Sequence, residues 1–295
     1  MNCRSISIVF HETTTRDQMR MYRVSNYARN WHEAGIEVRL LSGADHTVEA
    51  DLVIPQIDLT VMPESYRRLL NLDTRVVNRR VVDISKSSFS RHLLSQGDDY
   101  AGPVIVKTNA NYGGQPEAKL LSLMARTGSA SNGQSGARTR APDAETGTHP
   151  AKITTLNSSD YPIFRSLANV PDAVHGNPAL IIEKFLPEYD GQYFYLRSYA
   201  FFGSRGLAVR TRSNRPVVKG SNATGLEFIP VHEDIRQARD ELGFDSGKFD
   251  YVLHKGRAIL LDINDTPTFG NSYSTSERNR ICHELAGGLS AWFNA

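Results

Sequence analysis

The chain has 295 residues, 40% of them hydrophobic and 22% charged, with a formal net charge of +2. That balance suits a globular chain with a sizeable core and excludes a broad basic surface of the kind that binds DNA. Its two cysteines, Cys3 and Cys282, exclude a disulfide-stapled scaffold and offer no zinc spacing. The leading apolar run is too short for a signal peptide, and no stretch approaches the roughly 18 apolar residues of a membrane helix, so a cytoplasmic protein is expected.

In chain order, residues 5–10 read as a buried strand, followed by a Thr-rich turn at 12–17. Helical periodicity then runs over 18–34 and ends at Gly35. Residues 36–41 and 51–55 read as strands and 63–70 as a short helix. This alternation predicts a small parallel α/β domain over 1–80. Residues 84–95 turn from polar to helical, and Gly102–Lys107 reads as a strand followed by an Asn/Gly-rich loop. Residues 127–150 contain no Val, Ile, Leu, Met or aromatic side chain, so they read as a flexible loop or lid insert. Strands follow at 179–186, 193–202 and 207–212, then a helix over 232–242 ending at Gly243. A hairpin pairs 249–254 with 258–263 around Lys255-Gly256, and a helix runs from about 276 to 293.

The common nucleotide and hydrolase signatures are missing. There is no G-x-x-x-x-G-K-[ST], no G-x-G-x-x-G after the first strand, no G-x-S-x-G and no H-E-x-x-H. What remains is a spaced set of polar groups. Alternation places Asp262 and Asn264 on one face of the last strand, and the hairpin brings Asp250 beside them. Two carboxylates and an amide oxygen are hard ligands suited to Mg²⁺; a solvent-facing polar edge accounts for them equally well. Lys107 ends an apolar strand and precedes the loop Asn111-Tyr112-Gly113-Gly114, a layout that suits phosphate but also an ordinary turn with a surface lysine. Leu180–Leu186 is an apolar strand that breaks into Glu183-Lys184 before Pro187. It can offer backbone groups to an adenine edge, with Asp190 near enough for a ribose hydroxyl. It can equally be an edge strand leading into a loop.

Taken in order, these elements resemble the ATP-grasp superfamily over roughly 80–270, as in D-alanine–D-alanine ligase and the RimK-type ligases. The resemblance implies an α/β (α+β) fold with two lobes clasping ATP behind a small pre-domain. The expected domains are 1–80, an N-terminal lobe 81–180 carrying the insert 127–150, and a C-terminal lobe 181–295. It further implies that Lys86, Lys107, Gly113 and Gly114 hold phosphates, and that Glu183, Lys184, Phe185 and Leu186 form the adenine linker. Asp190 would take the ribose, and Asp250, Asp262 and Asn264 would ligate Mg²⁺, with Mn²⁺ an admissible substitute. Arg197, Arg210, Arg212 and Lys219 compete for the contact to the transferred phosphoryl group. Two departures stand out: Asp262 occupies a position where the family commonly has Glu, and Asp265–Gly270 delays the family's Pro-Gly turn.

The implied reaction is ATP-dependent activation of a carboxylate as an acyl-phosphate, attacked by an amine-type nucleophile. A phosphotransferase, a non-catalytic nucleotide-binding protein and half of a glycosyltransferase are the alternatives. The joint retention of Lys86, Lys107, Asp250, Asp262 and Asn264 argues against the second, and the late hairpin against the third. The expected partner is a small-molecule or peptide substrate, without nucleic acid or membrane; a homodimer is allowed.

Overall fold

The computed structural model describes residues 3–129, 156, 161–270 and 273–293. The chain falls into two compact units. One comprises residues 1–84, 88–90 and 186–295; the other comprises 85–87 and 91–185.

The first unit opens with strand β1 (Ser5–Phe10), helices α1 (Arg16–Met21) and α2 (Arg23–Glu33), and strands β2 (Glu37–Ser42) and β3 (Leu52–Gln56). A short helix α3 (Glu64–Arg67) and strand β4 (Arg75–Val76) follow. The four strands form a parallel sheet in the order β2-β1-β3-β4. The expected alternation of strand and helix is therefore present.

One expectation fails here. The helix read over 18–34 is two helices broken at Tyr22, whose backbone is extended at φ −72 and ψ 144. Tyr22 forms an antiparallel bridge with Thr268, and its hydroxyl donates to Asp58 Oδ2 at 2.8 Å. Arg23 N donates to Pro267 O at 3.0 Å. A tertiary pairing has overridden the local period. It also pins the chain that follows Asn264.

The second unit contains strand β5 (Val104–Thr108), helix α5 (Gln115–Ser129) and strands β6 (Ile163–Phe164) and β7 (Leu180–Lys184). A short helical turn, α4 (Lys86–Phe89), precedes it in the chain. The strands form an antiparallel sheet in the order β6-β5-β7. Val104, Val106, Leu180 and Ile182 form its core with Leu167, Val170 and Val174. Helix α5 was not expected, and its last residues, Thr127–Ser129, belong to the stretch read as an insert. The rest of that stretch, 130–150, lies outside the described residues.

The first unit resumes with strands β8 (Glu188–Tyr189), β9 (Phe194–Phe202), β10 (Arg205–Ser213) and β11 (Gly225–Ile229). Helix α6 (Glu233–Leu242), strands β12 (Ser246–His254) and β13 (Arg257–Asn264) and helix α7 (Thr275–Ala286) complete it. The strands form a six-stranded antiparallel sheet in the order β11-β10-β9-β12-β13, with β8 alongside β9. Gly243 caps α6 at φ 72, the left-handed conformation expected of a terminating glycine. The C-terminal helix is shorter than read: after Ala286 the chain continues as a 3₁₀ segment, Gly287–Trp292.

Both faces of the six-stranded sheet pack at one end. Ala200 and Phe202 join a core with Phe10, Tyr27, Trp31, Ile281 and Leu285. Tyr199, Phe201, Phe249 and Tyr251 join the opposite core, with Ile235 and Phe244. Alternation along β9 thus sends successive residues into different cores.

Candidate functional site

In the second unit the two lysines are buried. Lys86 is 3% exposed, and its Nζ donates to Ala110 O at 3.1 Å. Its backbone N donates to Asn109 O, and Asn109 Oδ1 accepts from Ser87 N, so the turn at 86–87 is tied to the end of β5. Lys107 is 6% exposed, and its Nζ lies 2.5 Å from Glu183 Oε2. The two sit diagonally across the β5–β7 pair, where Ile105 faces Glu183 and Lys107 faces Ile181. Glu183 is therefore a strand residue paired to a lysine. Its other oxygen, Oε1, is buried with no hydrogen-bond partner among the described residues. A buried acceptor in that condition costs free energy until a donor reaches it.

The loop after β5 is conformationally unusual. Tyr112, Gly113 and Gly114 have φ of 46, 69 and 76, three left-handed residues in a row. A Cβ at Gly113 would approach Leu156 O to 2.6 Å, so glycine is needed there for both space and backbone angle. The run ends at the start of α5, where backbone N–H groups point outward along the axis.

The linker Glu183–Leu186 has less free backbone than expected. Lys184 N donates to His92 O at 3.0 Å and Phe185 N to Pro103 O at 2.8 Å. The Lys184 ammonium sits over the Tyr100 ring, 5.1 Å from its centroid. Leu186 begins the next stretch of the first unit.

In the first unit, strand register assembles the acids. Asp250 lies directly opposite Asp262 across β12 and β13, and Lys248 directly opposite Asn264. Asp250 also faces Ser198 on β9. Cross-strand partners share a face, so Ser198, Lys248, Asp250, Asp262 and Asn264 lie together on one side of the sheet. Asp250 accepts from Ser198 Oγ at 2.5 Å and from Lys248 Nζ at 2.8 Å. Asn264 Oδ1 accepts from Thr266 N at 2.8 Å, which turns the amide at the end of β13. The next carboxyl, Asp265, is pushed up to about 7 by burial, with Asp58 adding to the effect.

The arginines proposed for phosphoryl contact face the other way. Arg197 pairs with Tyr251 and Arg210 with Arg197, so both occupy the face opposite Asp250. Arg197 makes a bidentate contact with Glu188, with Nε to Oε2 at 2.9 Å and Nη2 to Oε1 at 2.8 Å. Glu188 in turn accepts from Leu253 N at 2.7 Å. Arg210 pairs with Glu227 and lies over Tyr195, and Arg212 lies over Tyr193. Lys219 sits in the loop between β10 and β11, its backbone N held by Asn222 Oδ1 at 3.0 Å. Asp190 is exposed and occupied by its own turn. Its Oδ1 accepts from Tyr193 N and Gln192 N, and its Oδ2 accepts from the Tyr195 hydroxyl. Those donors, Tyr193 N foremost, hold its carboxyl down at about 2.

Lys248 and Ser198 were not singled out from the sequence. Position i−2 from Asp250 on one strand was the available signal for Lys248. Ser198 needs the β9–β12 register.

Two carboxylates directly opposite one another on a sheet repel. A cation relieves that repulsion, and Lys248 supplies one positive charge beside Asp250. Among the described residues no group of three or more His, Cys, Asp or Glu side chains could hold a metal alone. The donor chemistry of Asp250, Asp262 and Asn264, two carboxylates and one carbonyl oxygen, fits a hard divalent ion that takes its remaining ligands from phosphates and water.

No family model matches the chain, and no curated protein matches it. Among solved structures, a D-alanine–D-alanine ligase from Bacillus anthracis is similar at 10% identity, covering 99% of this chain and 96% of that one, with a TM-score of 0.49. The ATP-grasp ligase PsnB, complexed with minimal precursor, is 15% identical, with 99% of each chain covered and a TM-score of 0.49. A RimK domain ATP-grasp protein from Sphaerobacter thermophilus is 10% identical, covering 98% of this chain and all of that one (100%), with a TM-score of 0.44.

Proposed function

We propose that the chain is an ATP- and Mg²⁺-dependent ligase of the ATP-grasp type, activating a carboxylate for attack by an amine-type nucleophile. The observation that carries this reading is the pairing of Asp250 with Asp262 on one sheet face, with Asn264 and Lys248 on the adjoining rung. The chemistry that Mg²⁺ would supply at this face is positive charge against nucleotide phosphates and the transferred phosphoryl group. Asp250, Asp262 and Asn264 are the residues that would hold it. Lys248 takes the basic role for which Arg197, Arg210, Arg212 and Lys219 compete in the sequence, because it shares the acids' face and the three arginines do not.

The second unit, taken by itself, carries groups of its own suited to a nucleotide. Lys86, Lys107 and the left-handed run at Tyr112–Gly114 are suited to phosphate oxygens. Glu183 Oε1, buried and lacking a donor among the described residues, matches the exocyclic amine of adenine. No protein nucleophile is required, in keeping with the absence of a nucleophile elbow or catalytic triad motif.

The experiment is a screen of candidate acids with ATP, with and without amines. Phosphate release that requires both acid and amine supports ligation. A stable phosphorylated product formed without an amine would replace the ligase reading with a phosphotransferase.

A further inference from the structure

A second polar cleft lies in the first unit, and none of its described lining residues is named above as a nucleotide or metal contact. It has a volume of about 440 Å³ and is lined by Thr74, Arg75, Arg79, Arg80, Asp245 and Trp292, among others. The three arginines are exposed. None of them has a carboxylate within ion-pair distance among the described residues.

Arg75 and Arg79 are held by groups other than acids, and Arg80 lies near enough to Asp245 for their charges to interact. Arg75 lies over the Phe293 ring, 4.9 Å from its centroid. Arg79 Nη2 donates to Leu72 O at 3.0 Å and to Thr74 O. Arg80 packs against Gly243, where a Cβ would come within 2.8 Å of its Nε. The backbone beneath is fixed as well. Asn78 is buried with a left-handed φ of 56, and its Oδ1 accepts from Asp245 N at 2.8 Å and Ser246 N at 2.9 Å. Asp245 Oδ2 accepts from Asn78 N at 2.8 Å. Asp245, the one acid among the described lining residues, is thus engaged with the backbone and also interacts with the charges of Arg239 and Arg80; Arg79 and Arg80 leave a fixed turn.

We propose that this cleft binds a phosphate-bearing anion. Three guanidinium groups line the cleft from separate backbone positions; Arg75 and Arg80 present forks of donors, and Arg79 adds the donors left after its Nη2 contacts. A carboxylate satisfies one fork. A phosphate or diphosphate offers oxygens in several directions and meets more than one. The volume is that of a small-molecule site. Trp292 gives the cleft an aromatic wall; its ring packs 5.0 Å from Phe202 and is held by the core. Positioning Arg75 and Arg79 before binding reduces the ordering cost that flexible side chains otherwise impose.

The test uses inorganic pyrophosphate titrated calorimetrically into the full chain at low ionic strength, where exposed charge contacts are least screened. Saturable binding to the wild type is expected. It should weaken at least about tenfold in Arg75→Gln/Arg79→Gln/Arg80→Gln, from the loss of charge-assisted hydrogen bonds, and should tighten in Asp245→Asn. Lys248→Met, which alters the other candidate site, should leave it unchanged. If the triple variant loses the wild-type unfolding midpoint, Arg79→Gln and Arg80→Gln are titrated singly, and the Asp245→Asn gain stands as a separate readout. The proposal is overturned by a wild type that shows no saturable binding, by binding that survives loss of the arginines or is lost in Lys248→Met, or by glutamate binding as tightly as pyrophosphate.

Discussion

The two faces of the six-stranded sheet carry similar residues put to different uses. On one face Arg197 and Glu188 close on each other: the guanidinium is held by both carboxylate oxygens, and the carboxylate also takes a backbone N–H. On the other face Asp250 opposes Asp262, a like-charge pair with Lys248 at its edge. The first arrangement is complete without a ligand. The second leaves like charges facing one another, which a cation would relieve. Position along a strand separates them by one residue, Arg197 against Ser198 and Tyr251 against Asp250. Counting basic residues therefore cannot rank them; register can.

The largest stability effect is expected at the buried pair of the second unit, which follows the same logic as the closed face. Lys107→Met leaves Glu183, 3% exposed, without its cation. A loss of about 3–5 kcal/mol in chemical denaturation is expected, as for breaking one side of a buried pair. A loss near zero would show that Glu183 is solvated and the pair unimportant.

Next comes the direct contrast of the faces. Arg197→Met should cost roughly 2–3 kcal/mol of stability, because Glu188 loses a bidentate partner. It should leave ATP turnover close to wild type. Lys248→Met should do the reverse, lowering turnover about a hundredfold with little change in stability. Equal effects of both variants on turnover would erase the distinction between the faces.

Gly113→Ala should cost about 1–3 kcal/mol, from a left-handed residue given a Cβ and a contact with Leu156 O. Its unfolding midpoint reads this out. A neutral result would mean that the loop relaxes freely.

The smallest effect concerns pH. The Asp190 carboxyl is held down at about 2, below its ordinary value near 3.8. Its turn contacts therefore stabilise the fold above the ordinary value and are lost as pH falls from about 4 through 2. Asp190→Asn should differ from wild type at neutral pH, and the two should converge toward pH 2. A difference that persists at pH 2 would tie the variant's effect to something other than the charge.

Much of this was legible in the sequence. Apolar runs located β1, β5 and β7, the Gly243 cap located the end of α6, and period-two alternation put Asp262 and Asn264 together. The hairpin turn at Lys255-Gly256 was enough to bring Asp250 opposite them. What stayed hidden depends on contacts distant in sequence. Tyr22 breaks a helix because Thr268 pairs with it. Glu183 is an ion-pair partner because β7 lies beside β5. Ser198 becomes a candidate only when β9 and β12 are in register, whereas Lys248 was within reach as the residue two before Asp250 on one strand. Helix α5 escaped notice because several of its apolar side chains, Leu121 and Met124 among them, are exposed and mark no clear buried stripe.

The central claim is that the face bearing Asp250, Asp262 and Asn264 holds a magnesium–nucleotide. Calorimetric titration of ATP with and without Mg²⁺, into the wild type and into Asp262→Asn of unchanged unfolding midpoint, tests it most directly. The wild type should bind at least about tenfold more tightly with Mg²⁺, and the variant should lose that dependence. A folded Asp262→Asn that keeps the full Mg²⁺ dependence of ATP binding would contradict the assignment.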